Sequence, residues 1–205
     1  MTQALTLWRS RKCCGNVSGE EARNVNNPRN YIVTETLKDG TAVTIRAIRR
    51  DDSGKVLEAF ANLDRESIYT RFFSYKRELT ETELNQFTDV DFDHVVALVA
   101  TTRPEDGETI IAGGRYITDD ATSPCRGAEV AFTTEEDHQG RLRHLVRIAR
   151  ENGVSWLEAD VLAGNQPMLT AFRRSGLPMQ QRSDGAVIHV KLLLAVESSG
   201  DFRLG

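Results

Sequence analysis

Residues Ala128 to Thr134 alternate as a strand does, and past Glu135-Glu136-Asp137-His138 the chain reaches Gln139-Gly140 and an arginine-rich stretch. There Leu142, Leu145, Val146 and Ala149 keep the i, i+3, i+4, i+7 spacing of a buried helical stripe. A strand that runs through a tight turn into a helix places the first N–H groups of that helix at the end of the strand. Those groups lack intrahelical acceptors and sit at the positive end of the helix dipole, so they bind phosphate. Arg141, Arg143, Arg147 and Arg150 lie off the stripe, where they either contact a bound anion or form a solvated face. Asn152-Gly153 is a common helix stop.

The same reading orders the rest of the chain. A strand is expected at Ala42 to Ile48, after the turn signal Lys38-Asp39-Gly40. Asp51 and Asp52 open a helix with Val56, Leu57, Phe60 and Leu63 on one face; a second helical stretch passes Ile68 and Phe72, and a third starts at Thr80-Glu81-Thr82-Glu83 and carries Leu84 and Phe87. Val95 to Thr101 and Thr109 to Ile117 join Ala128 to Thr134 in an antiparallel meander. Trp156 to Leu162 is the next strand, followed by a helix from Asn165-Gln166-Pro167 with Met168, Leu169 and Phe172 inward, closed by Ser175-Gly176. A final hairpin pairs Leu177 to Arg182 with Ala186 to Leu194 through Ser183-Asp184-Gly185. The organisation expected is a flexible extension over 1–30, one domain over 31–196 and a short tail over 197–205.

Composition limits the function classes. A net charge of −4 argues against a protein that coats nucleic acid or a membrane surface. No apolar stretch is long enough for a signal peptide or a membrane span, so a soluble, cytoplasmic protein is expected. Cys13 and Cys14 are adjacent and Cys125 stands alone, which fits neither a disulfide framework nor paired metal ligands, and His94, His138, His144 and His189 have no ligand spacing. No metal is implied.

The strand Ala128-Glu129-Val130-Ala131-Phe132 before Gln139-Gly140, together with Asn165-Gln166-Pro167-Met168-Leu169 before Phe172-Arg173-Arg174-Ser175-Gly176, resembles the GNAT family of N-acetyltransferases over about Thr36 to Val196. Tyr69-Thr70-Arg71-Phe72-Phe73-Ser74, Glu78-Leu79-Thr80 and Asp89-Val90-Asp91-Phe92-Asp93 are most similar to the acetyltransferase domain of Pat-type protein-lysine acetyltransferases. The resemblance implies an α/β (α+β) fold with a mixed, mostly antiparallel twisted sheet flanked by helices. It implies acetyl-CoA as co-substrate and an amine acceptor, a protein lysine in Pat-type enzymes. By the same resemblance Glu129 is the general base, Phe132, Thr133, Gln139, Gly140, Arg141, Arg143 and Asn165 contact the cofactor, and Tyr69, Arg71, Phe72 and Phe73 contact the acceptor.

The chain departs from the family in two places. The family turn reads Gln/Arg-x-x-Gly-x-Gly/Ala, and here its two small positions fall on Leu142 and His144. At roughly 1.5 kcal/mol for each lost hydrogen bond, losing two predicts cofactor binding weaker on the order of a hundredfold. The position of the family's acid tyrosine is Phe172, which cannot give a proton to the leaving thiolate. These departures keep a second reading open, a catalytically silent acyl-CoA-binding or regulatory domain, and a small-molecule amine remains an alternative acceptor. Each site residue also has an ordinary structural role open to it: Glu129 as a polar residue on a strand face, Asn165 as a helix N-cap, the aromatic residues as core.

Overall fold

The computed structural model describes residues 27–37, 40–63, 78–103, 107–118, 126–133 and 138–194, the last segment by backbone alone over 138–141. Its strands are β1 (Ile32–Thr36), β2 (Ala42–Ala47), β3 (Val95–Thr102), β4 (Thr109–Thr118), β5 (Arg126–Thr133), β6 (Val154–Leu162), β7 (Met179–Asp184) and β8 (Val187–Leu193). They form one sheet in the order β1-β2-β3-β4-β5-β6-β8-β7. Every neighbouring pair is antiparallel except β5 and β6, which are parallel and are connected through a helix, as a parallel pair requires. The described helices are α1 (Ser53–Asn62), α2 (Glu81–Thr88), α3 (His138–Glu151) and α4 (Gln166–Arg174). None is long and apolar enough to cross a membrane.

The sheet has two faces. Leu98, Gly114 and Phe132 share one across β3, β4 and β5, and α3 and α4 cover it through Leu142, Leu145, Ile148, Leu169 and Phe172, all 1% exposed or less. Val99, Gly113 and Thr133 share the other, over which α1 and α2 lie. The helix ends follow from local chemistry. Thr80 and Glu83 form a reciprocal capping box for α2, Thr80 Oγ1 accepting from Glu83 N at 3.3 Å and Glu83 Oε2 from Thr80 N at 2.9 Å. α3 gives way at Gly153, whose φ of +74° is the left-handed conformation that glycine adopts without a Cβ penalty.

The structure departs from the sequence reading at element ends. The strand β1 is added at the sheet edge; its alternation is weak because no side chain on it is fully buried. The last hairpin turns at Gly185-Ala186 instead of Ser183-Asp184-Gly185, since Asp184 already pairs with Val187 and a two-residue turn matches the twist of the strands. Pro28–Asn30, counted with the extension, form a 3-10 helix capped by Asn27, from which Arg29 donates to the Asp91 carbonyl at 2.6 Å. The helical stretch through Ile68 and Phe72, Cys13, Cys14 and Cys125 lie outside the described residues.

An ionic cluster ties α1 to the sheet. Arg46 on β2 is 2% exposed and grips Asp52 at 2.7 and 2.8 Å and Glu108 at 3.0 Å, while Lys55 reaches Glu108 at 2.7 Å. Burial alone would raise the Asp52 carboxyl, but hydrogen bonds from Arg46 and the Arg49 N–H hold it below its ordinary range. Glu108 is also held well below its ordinary range, chiefly by its hydrogen bonds from Arg46, with Lys55 and Thr101 adding to them against desolvation. Both groups bind protons less readily folded than unfolded. Their contribution to stability is therefore complete above the ordinary carboxylate range and is lost as the pH falls through it and below. Urea unfolding should give a free energy that falls steeply below about pH 4.5. Glu108→Gln should make that fall shallower; an unchanged slope would contradict the assignment.

Candidate active site

The strand β5 divides its side chains between two environments. Val130 and Phe132 turn to the α3/α4 face, and the Phe132 ring packs 6.4 Å from that of Phe172. Both rings are core, so Phe132 leaves only its main chain open to a ligand, and Phe172 fills its position as packing. Glu129, Ala131 and Thr133 turn to the α1/α2 face. Glu129 is exposed and makes no hydrogen bond or ion pair among the described residues. Its lateral neighbour on β6, Glu158, is engaged by Lys191 at 3.0 Å, and that ammonium also lies 4.0 Å over the Trp156 ring. The Trp156 indole in turn packs down on Gly127, where an added Cβ would come within 2.6 Å of it. One carboxylate at this level is committed to structure, and Glu129 is the other.

The sheet opens at that level. The β5/β6 ladder runs from Arg126↔Val154 to Glu129↔Glu158 and stops, although β5 continues to Thr133 and β6 to Leu162. Beyond it β5 keeps its ladder with β4 and β6 keeps its ladder with β8, so the two strands diverge with Glu129 at the apex of the gap. At the far end of β5 stands the N-terminus of α3. The helix begins at His138, so Gln139 and Gly140 lie in its first turn instead of in a turn before it. A glycine inside a helix costs only about 1 kcal/mol relative to alanine, and the Leu142, Leu145, Val146, Ala149 stripe outweighs it. The first N–H groups of a 14-residue helix are thus presented at the open end of the gap.

The residues at the family's two small positions do not occupy that end. Leu142 is 1% exposed in the core. His144 turns toward β1, accepting from the Tyr31 hydroxyl at Nδ1 (2.5 Å) and donating from Nε2 to Glu35 at 3.0 Å. Burial lowers the His144 pKa and Glu35 opposes the shift, so a neutral ring fits both contacts. Arg143 also pairs with Glu35 and is thereby turned to β1; the Arg141 side chain lies outside the described residues. Asn165 caps α4, its Oδ1 accepting from Met168 N at 3.1 Å, and its amide nitrogen makes no hydrogen bond among the described residues.

Between α1, α2 and the sheet lies a cleft of about 330 Å³, lined by Val56, Phe60 and Leu79 above and by Ile111, Arg115 and Thr133 on the strands. Tyr69, Arg71, Phe72 and Phe73 lie outside the described residues. Arg115 was not singled out in the sequence, although one signal exists: it is the only charged residue of β4, Thr109 to Thr118.

No family model matches the chain. It is 30% identical over 164 residues to the acetyltransferase PA5475 of Pseudomonas aeruginosa, a match covering 76% of this chain and 86% of that protein. The crystal structure of the GNAT domain of S. lividans PAT superposes with a TM-score of 0.70 at 30% identity, over 79% of this chain and 96% of that one. The structure of yncA from Salmonella typhimurium with its cofactor acetyl-CoA shares the fold, with a TM-score of 0.55 at 16% identity over 78% of this chain and 99% of that one.

Proposed function

The chain belongs to the GNAT family of N-acetyltransferases, and on that footing we propose that it transfers the acetyl group of acetyl-CoA to a protein lysine with Glu129 as general base. The observation that carries this reading is an exposed carboxylate, free of partners among the described residues, at the apex where β5 and β6 part. A pantetheine arm is an extended chain with two amides, and it pairs with the main chain of β5 at Phe132 and Thr133 as an added strand does. The pyrophosphate rests on the N–H groups at Gln139, Gly140 and Arg141, and the Asn165 amide group faces the cofactor from α4. Arg143, held by Glu35, contributes only its charge to that corner.

Lysine is almost wholly protonated at neutral pH, so its proton must be removed before nitrogen attacks. Glu129 takes that proton, directly or through water. The neutral amine attacks the thioester carbonyl, the nitrogen gives up its second proton to water, the C–S bond breaks as the amide forms, and CoA departs as thiolate to be protonated by water. Phe172 has no part in that last step. Tyr69, Arg71, Phe72 and Phe73 hold the acceptor segment.

Two measurements test this reading. Calorimetry should show acetyl-CoA binding at least about tenfold more tightly than S-acetylpantetheine, which lacks the pyrophosphate; equal affinities would remove the α3 N-terminus from the site. Thiol release should depend on a lysine peptide. Binding without such release would leave an acyl-CoA-binding module.

A further inference from the structure

Arg115 stands midway along β4, opposite Ala131 and diagonal to Glu129 on the face beneath α1 and α2. Its guanidinium lies 4.9 Å over the Phe87 ring and gives one long hydrogen bond, from Nη1 to the Gln86 carbonyl at 3.5 Å. No carboxylate pairs with it among the described residues. The contrast with Arg46 is informative: that arginine, also packed under α1, is clamped by two carboxylates. A guanidinium has five donors in a planar fork that matches a carboxylate, and here one donor is weakly used. Burial pushes the Arg115 pKa below its ordinary value, with Glu129 opposing the shift, so the half-buried side chain has no close counterion among the described residues. It lines the cleft together with Ala131 and Thr133, and the remainder of the lining is largely apolar.

Diagonal neighbours on antiparallel strands stand about 7 to 8 Å apart, the span of one small group bound to both. We propose that Arg115 is a carboxylate subsite of the acceptor pocket, so that the preferred acceptor lysine is flanked by an acidic residue, with an apolar neighbour in the cleft. The acidic side chain meets the guanidinium while the lysine amine meets Glu129. This deepens the reading of Glu129 as base and rests on it.

The test compares two end-blocked peptides, Ala-Glu-Lys-Leu-Ala and Ala-Gln-Lys-Leu-Ala, as acceptors for the full chain and for Arg115→Gln. The wild type should favour the glutamate peptide by about tenfold or more in kcat/KM, the effect of a charge-assisted hydrogen bond, and Arg115→Gln should erase the preference without raising KM for acetyl-CoA. Equal use of both peptides by the wild type overturns the subsite, as does a loss in the variant that appears in the acetyl-CoA KM. If neither peptide is acetylated, the protein-lysine reading fails, and calorimetry of leucine and leucinamide against the CoA-bound protein decides the subsite. Tighter binding of leucine, abolished in Arg115→Gln, supports it with a free amino acid as the carboxylate source. Equal or absent binding of the two overturns it.

Discussion

Glu129→Gln should lower kcat for a lysine acceptor by about 10² to 10⁴-fold, the range over which a positioned base contributes. The amide has the size of the carboxylate and cannot take a proton. Because the Glu129 side chain makes no hydrogen bond or ion pair among the described residues, the melting temperature and the acetyl-CoA affinity should stay close to wild type. The deficit should shrink as the pH approaches the ordinary lysine pKa of about 10.4, where the acceptor arrives already neutral. Steady-state kinetics across pH with a lysine peptide measure all three. A variant as fast as wild type at neutral pH would take Glu129 out of the chemistry, and a loss of the same size at every pH would make its role one of shape.

Arg46→Met should destabilise the fold by about 3 to 5 kcal/mol, the cost of removing one member of a buried ion cluster. Arg46 is 2% exposed, Asp52 1%, and the methionine keeps the aliphatic bulk while leaving Asp52 and Glu108 facing each other with Lys55 alone. The effect should reach the proposed acceptor site, because Asp52 and Lys55 anchor α1, which roofs the cleft. Chemical denaturation reads the first consequence and peptide KM the second. Replacing Arg46, Asp52 and Glu108 together with apolar residues should recover much of the loss, since a well-packed apolar substitute is often neutral for a buried cluster. A cost under about 1 kcal/mol for the single variant would mean that water reaches the cluster.

The parts of the site that follow from period and turn chemistry were legible in the chain. The β5 alternation puts Glu129 and Thr133 on one side and Phe132 on the other, and the α3 stripe of Leu142, Leu145, Val146 and Ala149 is buried as its spacing requires. Asn165 shows the limit of such reading: an N-cap and a cofactor contact use the same residue, and the cap is one that the geometry records. His144 was legible only as a departure from a family turn. Its partners Tyr31 and Glu35 lie more than a hundred residues away, on an edge strand whose alternation is weak. Arg115 was missed for a related reason, since its significance lies in having no paired carboxylate among the described residues beneath a helix packed across the sheet, which no local pattern encodes. The divergence of β5 from β6 is likewise a property of where a ladder stops, not of the residues at that point.

The proposed chemistry requires the gap opening at Glu129↔Glu158 to receive the thioester, with the N-terminus of α3 at its far end. A crystal structure with CoA bound tests this most directly. Pyrophosphate oxygens should lie within hydrogen-bonding distance of the main-chain N–H groups at 138–141, the pantetheine arm between β5 and β6, and the sulfur beside Glu129 on the α1/α2 face. CoA bound elsewhere, or a gap closed by side chains of β5 and β6 with the cofactor present, would contradict it.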